Sequence, residues 1–432
     1  MKRKHFIIVL AMLVLVACQS SVGTLESTAS PAPPVGESPV KTPTSLPTAT
    51  PVVVTGTVRI WHSWEDPFVP ALLRAIDGFN ELYPSIYFDV LYVPADDLPI
   101  AFEQAVQEGH VPSLLIGQAE WGPDLYDKGL VADLSDLISP DLLDTLNPAA
   151  LGTGRLAVGL ISVPVDIRGV VLYRNRSIIP IAPSTFEELA SLAKEATRGQ
   201  TLGSVLDRSF FFSGAHLIGL GGSLMTEEGK PGFNNERGLD WVGLLQAYDQ
   251  AGAAEFFTDN DLNMFKEGRV GFIIDGTWNR TSLAETIGAD NLAIDPWPIH
   301  AGGSLSGFVQ AESMFLTPQA LDEVHAVSLK FLQFFLSPEA QSSIAEVGLI
   351  PAINGSPVNL AANQVVISDP LISQAMRALT DGVSYPANPE MGIYSSQLDI
   401  SLKSVFDDGV PAQQALQSAE EAINAALVTP AP

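Results

Sequence analysis

The chain has little cysteine and little positive charge. Its 432 residues include one cysteine, which excludes an internal disulfide framework and a cysteine metal cluster. Lysine and arginine total 22 against 49 aspartates and glutamates, and the formal net charge is −27. Because so acidic a chain is repelled by phosphate groups, we expect neither a nucleic-acid partner nor binding to an anionic lipid surface.

Motifs for catalysis and for cofactors are also missing. The sequence has no G-x-x-x-x-G-K-[ST] phosphate loop, no G-x-G-x-x-G dinucleotide turn, no H-E-x-x-H pair and no G-x-S-x-G elbow. The histidines lie far apart, and no pair of them has the spacing of metal ligands. We therefore expect no cofactor, no metal ion and no enzymatic activity.

The N-terminus has the pattern of an export signal. Basic residues at 2–4 precede an apolar run at 6–16, which is too short to span a membrane. The small residue Ala17 then directly precedes Cys18, which resembles the lipobox of bacterial lipoproteins. This resemblance implies a lipoprotein signal peptide over residues 1–18 and a lipid on Cys18 that anchors the chain to the outer face of the cell membrane. The alternative is an ordinary signal peptide with an incidental thiol.

Residues 19–56 are rich in proline, serine and threonine. Proline at this density blocks helices and sheet ladders and favours extended chain. The segment therefore predicts a disordered tether that holds a folded body away from the membrane. The body that follows is too long for one ordinary core and indicates two domains.

The body begins with alternating strands and helices. Apolar runs at 58–61, 86–92 and 114–116 predict strands, while apolar residues at helical spacing predict helices over 68–83 and 98–107. Helical crossovers require parallel strands, so this order predicts an α/β sheet. In such sheets the ligand lies at the carboxyl ends of the strands.

A second α/β pattern follows further along the chain. A strand is predicted at 170–173, and the sequence Ser184 to Glu187 has the form of a capping box that begins a helix. A later helix is predicted over 236–251 and a strand over 270–274.

Short motifs in this order resemble a known family. They are VRIWHSW at 58–64, VP at 163–164, GVVLYRN at 169–175, STFEEL at 184–189, FKEGRVGF at 265–272, DGTW at 275–278 and SPEAQ at 337–341. The family is that of the extracellular solute-binding proteins of the maltose-binding type, which serve ABC importers. The resemblance covers nearly the whole body.

The resemblance implies a two-lobed periplasmic-binding-protein-like α/β fold. Each lobe would be a mostly parallel sheet flanked by helices, with the ligand cleft between them. The N-terminal lobe would hold residues 57–163 and 294–335, and the C-terminal lobe residues 166–292 and 338–428. The crossings between lobes would act as a hinge, and the membrane subunits of the importer would recognise the closed form. We expect the protein to be a monomer.

Aromatic residues at predicted strand ends favour a sugar ligand. A pyranose ring has an apolar face and a rim of hydroxyl groups, so its site combines aromatic surfaces with polar side chains. Trp64, Trp121 and Trp278 each fall just beyond a predicted strand, and Trp278 matches a glycine-aromatic turn of the family together with Gly276. Trp241, at apolar spacing on a helix, is expected in the core.

Further side chains near these positions are candidates for ligand contact. They are His62, Glu65, Asp66, Glu120, Asp166, Arg168, Phe308 and Gln310. Five of them have a structural alternative: Asp166 and Arg168 can form an ion pair, His62 can make a buried hydrogen bond, and Phe308 with Gln310 can begin a strand.

Two other functions are compatible with these residues. The same fold could bind a polyamine or another small cation through its acidic groups. An anchored glycoside hydrolase would use two of Glu65, Glu120, Asp166 and Asp275 as acid and nucleophile. A saccharide receptor is the function that the motifs favour over both.

Overall fold

The computed structural model describes residues 54–226, 228–321, 326–362 and 364–428. The predicted signal peptide with Cys18, and the predicted tether up to residue 53, lie outside the described residues. The first strand begins at Gly56, the last residue of the predicted tether. Within the described ranges, no helix has the length and apolar character needed to cross a membrane.

The first five elements are those predicted from the sequence. They are β1 (Gly56–His62), α1 (Val69–Leu82), β2 (Ile86–Tyr92), α2 (Leu98–Gln107) and β3 (Leu114–Gln118). Strand β1 pairs in parallel with β2 on one side and with β3 on the other. The predicted parallel α/β arrangement is therefore confirmed here.

The remaining helices and strands follow β3 along the chain. The elements up to residue 219 are α3 (Gly122–Asp127), α4 (Pro140–Leu143), α5 (Pro148–Thr153), β4 (Arg155–Leu156), β5 (Gly159–Leu160), β6 (Val163–Asn175), α6 (Phe186–Ala196), β7 (Leu202–Asp207) and α7 (Phe210–Gly219). Those up to residue 316 are α8 (Glu236–Ala251), β8 (Ala253–Glu255), α9 (Asn260–Lys266), β9 (Val270–Gly276), α10 (Arg280–Ile287), β10 (Leu292–Asp295), β11 (Ile299–His300), β12 (Gly303–Ser304) and β13 (Phe308–Leu316). The remainder are α11 (Ala326–Phe335), α12 (Pro338–Glu346), β14 (Ile350–Pro351), α13 (Pro357–Ala362), α14 (Pro370–Thr380), β15 (Val383–Ser384), α15 (Met391–Phe406) and α16 (Ala412–Val428).

Strand β6 joins the two halves of one sheet. The main strand order is β2-β1-β3-β13-β6-β9-β7-β8. Up to Gly169, β6 pairs with β13, and from Val170 onward it pairs with β9. The outer strands of each half are parallel, and β6 and β13 run antiparallel between them.

A β-bulge interrupts the pairing of β6 with β13. Asp166 lies opposite Glu312, but Pro164 lies opposite Ser313, so Val165 is an extra residue. A bulge of this kind bends its strand and changes the direction of the side chains that follow. Proline has no N–H to donate to a sheet ladder, so it is found mainly where the ladder is interrupted. The bulge supplies such an interruption next to Pro164.

The helix start predicted at Ser184 is displaced by one residue. Helix α6 begins at Phe186, and its N-cap is Thr185, whose hydroxyl accepts a hydrogen bond from the backbone N–H of Glu188 at 3.1 Å. Oε2 of Glu188 accepts a hydrogen bond from the backbone N–H of Ser184 at 2.8 Å. Serine and threonine both cap helices, so the local sequence did not decide between these adjacent residues.

Apolar residues form two large buried clusters and a smaller one. The largest contains Phe79 of α1, Ile344 of α12 and Tyr173 of β6, and the second contains Trp241 of α8. Trp241 is fully buried, which confirms its predicted place in the core. Helix α12, from the predicted second lobe, packs against α1 of the predicted first lobe. The residue boundaries of the lobes stay a prediction.

Gln341 of α12 holds three backbone segments together inside the core. Its Nε2 donates to the carbonyl oxygens of Val165 and Phe335, each at 3.1 Å, and its Oε1 accepts from the N–H of Ala352 at 2.8 Å. The side chain is fully buried. Because Val165 is the bulged residue, this amide satisfies a carbonyl that the sheet leaves available.

We expect Gln341→Leu to lower the free energy of unfolding by about 2–4 kcal/mol, because it leaves several buried backbone groups without partners. Urea denaturation measures this loss. Gln417→Leu, the same substitution on the exposed face of α16, should change stability by less than about 0.5 kcal/mol. Equal effects at the two positions would contradict the structural role of Gln341.

Candidate functional site

A cleft lies where the turns after β1 and β9 meet the middle of β6. Its volume is about 630 Å³. It is lined by Ser63, Trp64, Glu65, Pro67, Phe68, Ala95, Gln118, Asp166, Ile167, Arg168, Thr277, Trp278, Arg280, Thr281, Glu312 and residues 347–350. The carboxyl ends of β1, β3 and β9 all reach this cleft, as expected of an α/β ligand site.

Charged side chains of β6 and β13 form the polar wall of the cleft, which we define as Asp166, Arg168 and Glu312. Asp166 and Glu312 are directly opposite each other on the paired strands. Arg168 lies two residues beyond Asp166 and therefore on the same face of β6. Its Nη1 is 3.4 Å from Oε1 of Glu312.

Several polar atoms at this wall are buried but unpaired. Oδ2 of Asp166, Oε2 of Glu312 and the indole Nε1 of Trp64 have no hydrogen-bond partner in the part of the chain that the structure describes. Asp166 and Trp64 are each 4% exposed. An unpaired buried polar group costs about 1–3 kcal/mol, so such groups are rare in a purely structural role. Their presence at one cleft is the pattern of a surface that binds a polar solute.

The same burial alters the acidity of the wall. Desolvation raises the pKa of Asp166 well above its ordinary value, and the carboxylate of Glu312 raises it further. The guanidinium of Arg168 and, to a smaller extent, the indole N–H of Trp64 act in the opposite direction. Desolvation also raises the pKa of Glu312 to about 7, which Arg168 opposes. The polar wall therefore retains protons at pH values that ionise exposed carboxyl groups.

Trp278 supplies an aromatic surface to the cleft. Its ring lies over Gly276, where a Cβ atom would come within 2.0 Å of the indole. The carboxylate of Asp275 holds this turn by accepting from the N–H of Gly276 at 2.6 Å and from Nδ2 of Asn279 at 3.0 Å. Trp278 is nevertheless 48% exposed. A fixed indole with a free face is suited to stacking against a ring.

The aromatic turn is attached to the strand that carries the polar wall. The N–H of Gly169 donates to Oγ1 of Thr277 at 3.1 Å, and the hydroxyl of Tyr173 donates to the carbonyl of Gly276 at 3.0 Å. Both donors belong to β6. One strand thus fixes the two chemically different sides of the cleft.

Five predicted site residues line the cleft, namely Trp64, Glu65, Asp166, Arg168 and Trp278. Gly276 lies beneath the ring of Trp278. For all of them, contact with a ligand stays a prediction.

The other predicted site residues lie outside the lining of this cleft. Asp66 is exposed, and His62 is buried with its ring 5.7 Å from that of Tyr92. Nε2 of Gln310 donates to Oε1 of Glu120 at 2.6 Å.

Trp121 and Phe308, two other predicted contacts, also lie outside this lining. The ring of Trp121 lies over Gly117 and packs against the small apolar cluster around Phe315. Phe308 is buried, with its ring 5.5 Å from Phe210 and 5.3 Å from Tyr385.

The sequence analysis missed Glu312, Arg280 and the segment 347–350. Glu312 interrupts an otherwise mainly apolar strand, VQAESMFL, which was a usable signal, because a charged side chain rarely enters a central strand without a function or a partner. Segment 347–350 carries no comparable signal. It reaches the cleft only because α12 and β14 pack where they do.

A second depression of about 790 Å³ lies between α6 and α8, away from the cleft. Two of its polar side chains are paired with each other: Nδ1 of His300 is 2.8 Å from Oε1 of Glu187. The unpaired buried atoms at Asp166, Glu312 and Trp64 instead mark the cleft as the candidate site.

Comparison with known proteins places the chain in a family. Residues 74–373 match the model of the family described as bacterial extracellular solute-binding protein. The chain belongs to this family. Its members bind solutes outside the cytoplasm, so this solute-binding protein is extracytoplasmic in type.

Individual relatives agree with this membership. The chain is 21% identical to the maltotriose-binding protein of Pyrococcus abyssi over 377 residues, which cover 82% of this chain and 78% of the relative. It is 24% identical to the maltooligosaccharide ABC transporter solute-binding lipoprotein of Streptococcus pneumoniae strain R6, covering 54% of this chain and 58% of the relative.

A solved structure shares the fold. The extracellular solute-binding protein of Staphylococcus aureus in complex with maltose is similar with a TM-score of 0.76 and 19% identity, over 86% of this chain and 98% of that one. The predicted periplasmic-binding-protein-like α/β fold is thereby confirmed.

We expect Gly276→Ala to move the ring of Trp278, because the added methyl group would overlap the indole. Tryptophan emission and near-UV circular dichroism should change, and the change should vanish in a Trp278→Phe background. Gly243→Ala on α8, where nothing lies within 4 Å of the new methyl group, should leave both spectra unchanged. Identical spectra for wild type and Gly276→Ala would contradict the packing described.

We expect Glu312→Gln to gain stability relative to the wild type as pH rises. The pKa of Glu312 rises from 4.5 to about 7 on folding, so the folded wild type holds a proton that the unfolded chain has lost. The wild type therefore loses stability as pH increases through this window, and the glutamine variant lacks that loss. Urea titrations between pH 4 and pH 8 measure the difference. A difference that stays constant with pH would argue against a buried, protonated Glu312.

Proposed function

We propose that this protein is the extracytoplasmic receptor of an ABC importer and captures a sugar or oligosaccharide. The observation that carries the proposal is one cleft lined both by the exposed face of Trp278 and by the unpaired buried groups of Asp166, Glu312 and Trp64. A pyranose offers its C–H face to the indole and its hydroxyl groups to the polar wall. The relatives named for maltotriose and maltooligosaccharides support a saccharide ligand.

Capture would proceed by closure of two lobes around the solute. Strands β6 and β13 connect the two halves of the sheet beside the cleft. A solute that touches both sides binds the closed form more tightly and so increases its population. The membrane subunits of the importer would then dock on the closed form of a monomeric receptor. The relative named as an ABC transporter lipoprotein supports this assignment, and the lipid would be on Cys18.

The mixed character of the wall favours a sugar over a bare cation. A polyamine site would surround the cation with aromatic and carboxylate groups, whereas this wall places the guanidinium of Arg168 beside its carboxyl groups. Binding needs no bond to break, so we propose that the solute leaves unchanged and that the protein is not an enzyme.

We expect thermal shift assays of the purified protein with mono- and oligosaccharides to raise the melting temperature, because a ligand that binds only the folded state stabilises it. Trp278→Ala should weaken binding of the active saccharide roughly tenfold or more through loss of stacking. Tyr87→Ala, an exposed aromatic on β2 outside the cleft, should have no effect. If a glycoside were hydrolysed with turnover, or no saccharide bound, the proposal would fail.

A further inference from the structure

The polar wall carries more negative than positive groups. The carboxyl groups of Asp166 and Glu312 face each other across paired strands, and the carboxylate of Glu120 adds to the negative field at Glu312. Arg168 contacts Glu312 through its guanidinium at 3.4 Å. The same guanidinium also acts on Asp166, so one positive charge serves two carboxyl groups, and Oδ2 of the nearly fully buried Asp166 lacks a hydrogen-bond partner among the described side chains and backbone.

The second arginine of the cleft does not correct this imbalance. Nη1 of Arg280 donates to Oδ2 of Asp369 at 2.6 Å, and its Nη2 donates to the carbonyl of Gly348 at 2.7 Å. Its charge is therefore used to hold segment 347–350 at the rim of the cleft. With one guanidinium for the two carboxyl groups of Asp166 and Glu312, the wall lacks a second positive group that would balance both of them when they ionise.

We propose that the solute carries a basic nitrogen and is an amine-bearing saccharide, with its ammonium group against Asp166 and Glu312 and a sugar ring against Trp278. The inference rests on the proposed function and names the class of its substrate. A hydroxyl group can hydrogen-bond a buried carboxyl group in either protonation state, but it does not balance the charge that appears when the group ionises. An ammonium group supplies donors and charge together.

Binding of such a solute is coupled to release of a proton. Without a cation, the crowded carboxyl groups retain a proton because burial and their mutual repulsion disfavour ionisation. The charged groups that face Asp166 are Glu312 from β13 and Arg168 from β6, with Glu120 beyond Glu312. An arriving ammonium group favours the ionised carboxylate, and the displaced proton passes to the buffer.

The test compares matched pairs of sugars. Mono-, di- and trisaccharides of the gluco and galacto series are each used as the free amine and as the N-acetylated form, which keeps the rings and removes the charge. Maltotriose serves as a neutral probe. Isothermal titration calorimetry in buffers of different ionisation enthalpy gives both the affinity and the number of protons released. We expect at least one free amine to bind roughly tenfold or more tighter than its N-acetylated counterpart, with release of up to about one proton.

Two variants locate the effect. Asp166→Asn should abolish the preference for the amine while binding of the N-acetylated form persists, which also shows that the variant is folded. Glu312→Gln should reduce the preference in the same direction. Asp66→Asn, the same substitution at an exposed acid outside the cleft lining, should leave the preference intact.

Each remaining outcome overturns the inference. Equal or tighter binding of the N-acetylated forms or of maltotriose in every series would reject a basic nitrogen and leave the saccharide receptor standing. A preference for the amine that survives in Asp166→Asn and Glu312→Gln would reject this location. If none of the sugars bound, the proposed function would fall together with the inference.

Discussion

The cleft depends on one strand that is shared by both halves of the sheet. Strand β6 pairs with β13 before Gly169 and with β9 after it, so its side chains reach the cleft where the two halves meet. It carries Asp166 and Arg168 directly, and it fixes the turn of Trp278 through hydrogen bonds from Gly169 and Tyr173. The polar side chains and the aromatic ring are therefore both held in position by the same strand.

Two buried polar groups that adjoin β6 illustrate the difference between holding a fold and binding a solute. The amide of Gln341 donates two hydrogen bonds through Nε2 and accepts one through Oε1, so both of its polar atoms have partners. Asp166 follows Val165, to which Gln341 is bonded, and it is also buried. Its Oδ2, however, has no hydrogen-bond donor among the residues described here. The hydrogen bonds of Gln341 stabilise the core. The unpaired oxygen of Asp166 costs desolvation free energy, and a solute that hydrogen-bonds to it recovers that free energy.

Local patterns in the sequence were enough to predict the strands and helices but not which side chains line the cleft. The periodicity of residues 56–118 reproduced five elements and their parallel pairing because strands and helices are largely set by near neighbours. Trp121 and Trp278 both follow strands and both lie over a glycine, yet Trp278 lines the cleft and Trp121 packs against the cluster around Phe315. Glu312 stands out locally as a charge in a mainly apolar strand, but its position opposite Asp166 comes from pairing with a strand far earlier in the chain, which the local sequence does not show.

The bulge at Val165 has a consequence for how such receptors diverge. Side chains alternate along a strand, so an added or lost residue exchanges the inward set for the outward set from that point on. A bulge absorbs one such residue: with Val165 set aside, Pro164 still pairs with Ser313 and Asp166 with Glu312. The gain or loss of one residue at this point can therefore be taken up by the bulge, so β6 can change in length while Asp166 and Arg168 keep facing the cleft.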